Sequence, residues 1–80
     1  MVNDYRADTE KARSAEAAGL AFETVGRKDD ALREYNKAID IYKGLFERIR
    51  LIDVSSAMSI AGDVERLKRS VFVLNTSSSS

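Results

Sequence analysis

The chain has 80 residues, no proline, cysteine, tryptophan or histidine, and 13 basic side chains that balance 13 acidic ones. This composition excludes a disulfide framework and thiolate chemistry, and the balanced charge argues against a sequence-independent binder of the nucleic-acid backbone. One small all-helical domain over residues 1–75 is expected, with a core so limited that each large apolar residue counts.

No apolar run approaches the roughly 20 residues that span a bilayer, and acidic residues stand where a signal peptide would carry its basic region. The expected setting is cytoplasmic, with membranes reached only indirectly through protein partners.

Helix 1 is expected over residues 5–25, with Asn3 or Asp4 as N-cap and Tyr5 as the first buried side chain. Ala15, Ala18, Gly19, Phe22 and Val25 form a stripe of small residues that ends in larger ones. Gly26 is placed to stop the helix in a left-handed conformation. On the polar face, Arg6/Glu10, Asp8/Lys11 and Glu10/Arg13 have the spacing of helix ion pairs, each worth about 0.2–0.5 kcal/mol, which describes a solvated face and no function.

Helix 2 is expected over 29–51, with Asp29 as N-cap. Ala31, Leu32, Tyr35, Ala38, Ile39 and Tyr42 recur at helical spacing, continued by Leu45, Phe46, Ile49 and Ile52, while Glu34, Lys37, Lys43, Glu47, Arg48 and Arg50 take the other side. Gly44 within this pattern reads as a point of close helix approach. Facing Ala15, Gly19 and Phe22, the residues Ala31, Tyr35, Ala38 and Tyr42 would make an antiparallel hairpin with closely spaced backbones.

Asp53-Val54-Ser55-Ser56 favours caps and turns, so a reversal there would begin helix 3 near Ser55 and carry it over 55–74, ending at Asn75. The competing parse runs helix 2 through Ala57, Ile60 and Ala61 to Gly62-Asp63 and implies a dimer. The reversal is preferred because a single helix of more than about 30 residues exceeds the usual globular length and lacks a partner for its distal half in a monomer. Ile60, Val64, Leu67, Val71 and Leu74 then supply the third apolar stripe, and the tail over 76–80 is expected to be disordered.

Gly19, Phe22, Ala31, Tyr35 and Ala38 stand where a tetratricopeptide repeat places its Gly, aromatic, Ala, aromatic and Ala. A second repeat would need a glycine and an aromatic about 34 residues later, where Asp53 and Ser56 stand. Read as Glu23-x-x-Gly26 followed by Asp30-Ala31-x-x-x-Tyr35-x-x-Ala38-Ile39, the hairpin also resembles the first two helices of the MIT (microtubule-interacting and trafficking) domain. Glu65-Arg66-Leu67-Lys68-Arg69-Ser70 resembles the Glu-Tyr-Leu-x-Arg-Ala run of that family's last helix. The resemblance covers residues 5–74 and implies a three-helix bundle with a tetratricopeptide-like hairpin. It further implies binding of C-terminal tails of ESCRT-III-type proteins, at endosomal membranes. Val71 stands where the family frequently has an acidic residue, which implies a more apolar ligand.

Nothing in the chain assembles a catalytic set. Asp29, Asp30, Asp53 and Asp63 read as helix starts rather than metal ligands, Ser55-Ser56 has no partner base, and Gly26-Arg27-Lys28 lacks the glycine-rich spacing of a phosphate loop. Arg66, Lys68 and Arg69 read as a solvated basic face. An interaction module without cofactor or metal is therefore expected, monomeric in isolation and without nucleic-acid partners. The apolar surplus Val71-Phe72-Val73-Leu74 exceeds what one core stripe needs. It leaves Phe72 and Val73 toward a flank, either sealing the bundle end with Tyr5 or Phe46 or lining a groove. The expected peptide groove comprises Ile52, Glu65, Leu67, Lys68, Val71, Phe72, Val73 and Leu74, with Glu65 set to pair with a basic residue of the ligand. A helical self-association segment and a hairpin capping a larger array are the alternatives.

Overall fold

A computed structural model describes residues 5–76. Three helices follow one another, α1 (Tyr5–Thr24), α2 (Lys28–Ile49) and α3 (Val54–Thr76), and form an all-α three-helix bundle. The middle helix is the spine. It packs along both α1 and α3, which themselves hardly approach each other at the backbone. The stripe that makes this possible is broad: Ala31, Tyr35, Ala38, Ile39, Tyr42, Leu45 and Ile49 are all buried. Such a width lets one helix face two neighbours.

The two neighbours are met differently. Towards α1 the contact is made by small residues, with Ala12, Ala15 and Gly19 buried on α1 and Ala31 and Ala38 on α2. Gly19 is indispensable here, because a Cβ built on it would lie 2.7 Å from two ring carbons of Tyr35. Towards α3 the filling is larger, with Ile60, Val64, Leu67 and Leu74 buried. Tyr42, Leu45 and Leu67 are the largest side chains fully out of solvent.

The first turn follows from Gly26, which holds φ +82°. Gly26 N–H donates to the Glu23 carbonyl at 3.1 Å and Arg27 N–H to the Phe22 carbonyl at 2.8 Å, so the helix end is closed by the paired bonds of a Schellman motif. The Arg27 guanidinium lies over the Phe22 ring, 5.3 Å from its centroid, and completes the contact that usually accompanies this motif. The second turn, residues 50–53, contains no glycine and no positive φ. Asp53 ends it as the cap of α3: its Oδ1 accepts from Ser56 N–H at 3.1 Å and its Oδ2 from Ser56 Oγ–H at 2.8 Å. Those bonds favour the anionic carboxylate and lower the Asp53 pKa.

Several expectations need correction. Asp29 is not the cap of α2. Arg27 occupies that position without a side-chain cap bond, and Asp29 and Asp30 sit in the first turn, where their charge complements the helix dipole. Asp30 is held there by Arg27 at 2.5 Å and Arg33 at 3.1 Å. Gly44 faces open space rather than a neighbouring helix. Val25 lies beyond the last turn of α1 and is exposed, and Ile52 has left α2 for the turn. Val54 already belongs to α3, and that helix runs through Asn75 to Thr76, so Asn75 does not close it and Thr76 is helical instead of belonging to a disordered tail. The expected caps Asn3 and Asp4 and the rest of the tail lie outside the described residues.

Candidate functional site

Polar contacts bridge α1 to the other two helices, although a shallow groove of about 410 Å³ remains between α1 and α2, among Glu10, Lys11, Ser14, Glu34, Lys37 and Ile41. The Tyr35 hydroxyl donates to Glu23 Oε1 at 2.7 Å, and Asp8 on α1 pairs with Arg48 on α2 at 2.5 Å. Arg66 of α3 reaches across to Glu16 of α1 while also holding Asp63 at 2.9 Å. Two carboxylates on one guanidinium favour its charged form and raise its pKa. Burial, reinforced by the hydrogen bond to Glu23 and the nearby negative charges, pushes the Tyr35 phenol up to about 12, and burial also raises Tyr42. Tyr35 and Arg48 thus tie α1 to α2, and Arg66 joins α1 to α3, whose backbones hardly meet.

The opposite flank, between α2 and α3, is open. Lys43, Phe46 and Glu47 on α2 and Ala61, Val64, Glu65 and Lys68 on α3 line a groove of about 240 Å³. The volume is below the roughly 300 Å³ at which small-molecule sites begin, and suits one or two apolar side chains of a peptide better than a compact ligand. Its floor is Phe46, Ala61 and Val64, and its walls carry two lysines and two glutamates. Among the described residues Glu47 pairs with Arg50 at 3.3 Å, whereas Lys43, Glu65 and Lys68 have no ion-pair partner. Phe72 is four residues beyond Lys68, on the same face of α3 one turn on, and is 66% exposed.

The residues expected to share one groove are distributed over several places. Glu65 and Lys68 do line it, and Phe72 extends its line. Leu67 and Leu74 are core residues, and Val71 is half-buried against that core, so these three support the wall from behind instead of presenting a floor. Val73 faces the other flank, beside Glu23, Arg66, Arg69 and Ser70. Ile52 lies at the far end with Tyr5, Arg48, Ile49 and Asp53. Tyr5 and Phe46 are half-buried against the core, and Phe72 does not join them in sealing the bundle end. The core residues Gly19, Ala31, Tyr35, Ala38 and Tyr42 are buried as expected, and Phe22 packs half-buried against them.

Lys43, Phe46, Glu47, Ala61 and Val64 were not marked as groove residues by the sequence. The sequence pattern places Phe46 and Val64 on apolar stripes, and Lys43 and Glu47 on the solvated face. The available signal was their position at the edge between stripe and polar face, three and four residues apart. Arg66 is committed to Glu16 and Asp63 and does not belong to a solvated basic cluster with Lys68 and Arg69. Among the described residues no group of three or more acidic side chains converges as metal ligands would, and no helix is long and apolar enough to cross a membrane. No family model matches the chain, and neither a curated protein nor a solved structure matches it significantly.

Proposed function

We propose that this chain is a protein-interaction module whose groove between α2 and α3 takes an amphipathic helical segment of a partner protein. The observation that carries the reading is the unpaired charge of Lys43, Glu65 and Lys68 around an apolar floor, on a flank that no interhelical ion pair bridges among the described residues. A helical ligand presents apolar anchors at i, i+3, i+4 and i+7, which fits a shallow groove between two helices. The mixed walls select a ligand with both an acidic and a basic residue beside its anchors. The resemblance to MIT domains supports C-terminal tails of ESCRT-III-type proteins as the partner, with the module recruiting a linked enzyme or adaptor and performing no catalysis itself. A shallow groove with few desolvated anchors binds at about micromolar strength, or about −8 kcal/mol.

Titration of the isotopically labelled chain with a panel of such tail peptides tests this. Saturable shifts are expected at Phe46, Ala61, Glu65, Lys68 and Phe72. Reversing one wall charge, Lys68→Glu, should weaken binding, and restoring complementarity in the peptide should recover it. Shifts confined to α1, or none with any peptide, would defeat the assignment. The exposed cluster Leu51, Ile52, Val54 and Met58 at the second turn favours self-association as the second reading.

A further inference from the structure

The reversal between α2 and α3 contains nothing that forbids a helix. Arg50, Leu51, Ile52 and Asp53 include no glycine or proline, none has a positive φ, and Arg50 keeps helical angles of φ −60° and ψ −26°. Leu51 and Ile52, at 83% and 82%, are the most exposed large apolar side chains among the described residues. The apolar stripes on either side of the turn are also in phase. Ile49 and Ile60 are eleven residues apart, close to three full turns at about 3.6 residues each. In an uninterrupted helix Ile60, Val64, Leu67, Val71 and Leu74 would therefore continue the face of Tyr42, Leu45 and Ile49, with Ile52, two turns beyond Leu45, on one edge of that face and Asp53 on the other. Two helices joined by an obligatory turn have no need of this register.

We propose that α2 and α3 open at residues 50–53 into one continuous helix, and that two copies of the chain exchange α3 to form a swapped dimer. In the dimer α3 of one copy packs on α2 of the other through the core residues already used in the monomer. The hinge gains helical hydrogen bonds and Ile52 gains cover, against the entropy of association, so the dimer grows with concentration. The latch of the closed form is Asp53. Its bonds to Ser56 N–H and Oγ exist only while α3 begins at Val54, and a continuous helix has no use for them. The peptide groove is preserved in both forms, with its two walls on one chain in the monomer and on two chains in the dimer.

Size-exclusion chromatography with light scattering on the whole chain, refolded at low and at high concentration, reads the two forms. Asp53→Ala should raise the association constant of the dimer by about 25-fold, about fivefold for the cap that each of its two chains no longer gives up. The pair Leu51→Gly and Ile52→Gly should lower it. The chain has no cysteine, so Lys43→Cys with Lys68→Cys places a unique thiol on each groove wall. A short bismaleimide should link them within one chain in the monomer fraction and between two chains in the dimer fraction. A parent chain that stays monomeric at every concentration overturns the proposal. So does a dimer whose links stay within one chain, which would mark end-to-end contact of the apolar tip instead. If Asp53→Ala fails to fold, the double-glycine variant decides alone, and an unchanged dimer fraction in it overturns the swap.

Discussion

The α1–α2 hairpin and the α2–α3 hairpin share a helix and differ in almost everything else. In the first, backbones approach over Ala12, Ala15 and Gly19, the turn depends on the positive φ of Gly26, and Tyr35–Glu23 and Asp8–Arg48 tie the helices together. In the second, larger side chains hold the helices, the turn is made of ordinary residues, and among the described residues Lys43, Glu65 and Lys68 of the groove are left without ion-pair partners. Close packing tolerates little change of shape, because any added atom meets backbone or a buried ring. Packing through long side chains leaves grooves and alternatives. The first hairpin is thus the fixed frame of the molecule, and the second is where a ligand or a second copy can be accommodated.

The comparison can be broken most strongly at Leu67, the largest filler between α2 and α3 that is wholly out of solvent on α3. Leu67→Ala should destabilise by about 2–5 kcal/mol through lost burial and a residual cavity, read as a shift of the denaturant midpoint. At the other interface, Gly19→Ala should cost about 1–3 kcal/mol despite alanine's better helix propensity, since the Tyr35 ring is held by its bond to Glu23 and cannot yield. Ala38→Leu should overpack the same crossing by a similar amount, whereas Glu10→Ala, on the solvated face, should change stability by less than about 0.5 kcal/mol. Equal thermal stability of Ala38→Leu and Glu10→Ala would refute the close packing of that pair of helices.

The ring at that crossing also predicts an alkaline limit. Because the folded chain holds the Tyr35 pKa at about 12 against an ordinary value of 10.0, its contribution to stability is complete below pH 10 and is lost as the pH rises toward about 12. Tyr42 acts in the same direction. Denaturant midpoints measured at pH 9 and near pH 12 should fall with pH, and Tyr35→Phe should flatten part of that fall.

Glycine substitutions sharpen the contrast with smaller effects. Gly26→Ala should cost about 1–2 kcal/mol from the left-handed backbone alone, as no atom crowds the position. Gly44→Ala should do the reverse and stabilise by about 0.5–1 kcal/mol, since that glycine faces open space inside a helix. Thermal melts of the three variants Gly19→Ala, Gly26→Ala and Gly44→Ala would then give two losses and one gain.

The sequence by itself determined the helices, because their period, their apolar stripes and the turn at Gly26 are local properties read within a few residues of each other. It also determined that Ala31, Tyr35 and Ala38 are core, since small residues at helical spacing opposite a second such stripe have few other uses. Tertiary structure decided the rest. Whether Leu67 and Leu74 face inward or floor a groove depends on how far α3 is rotated about its axis, and a stripe narrower than half the helix leaves that rotation open. Whether Arg66 is solvated or committed depends on Glu16, 50 residues away, which only the placement of α1 beside α3 brings within reach. The choice between a turn at Asp53 and a helix running on to Gly62 was open for a related reason. The apolar phase is continuous across residues 50–53, so local pattern supports both forms, and the return of α3 onto α2 selects the turn by burying both stripes within one chain.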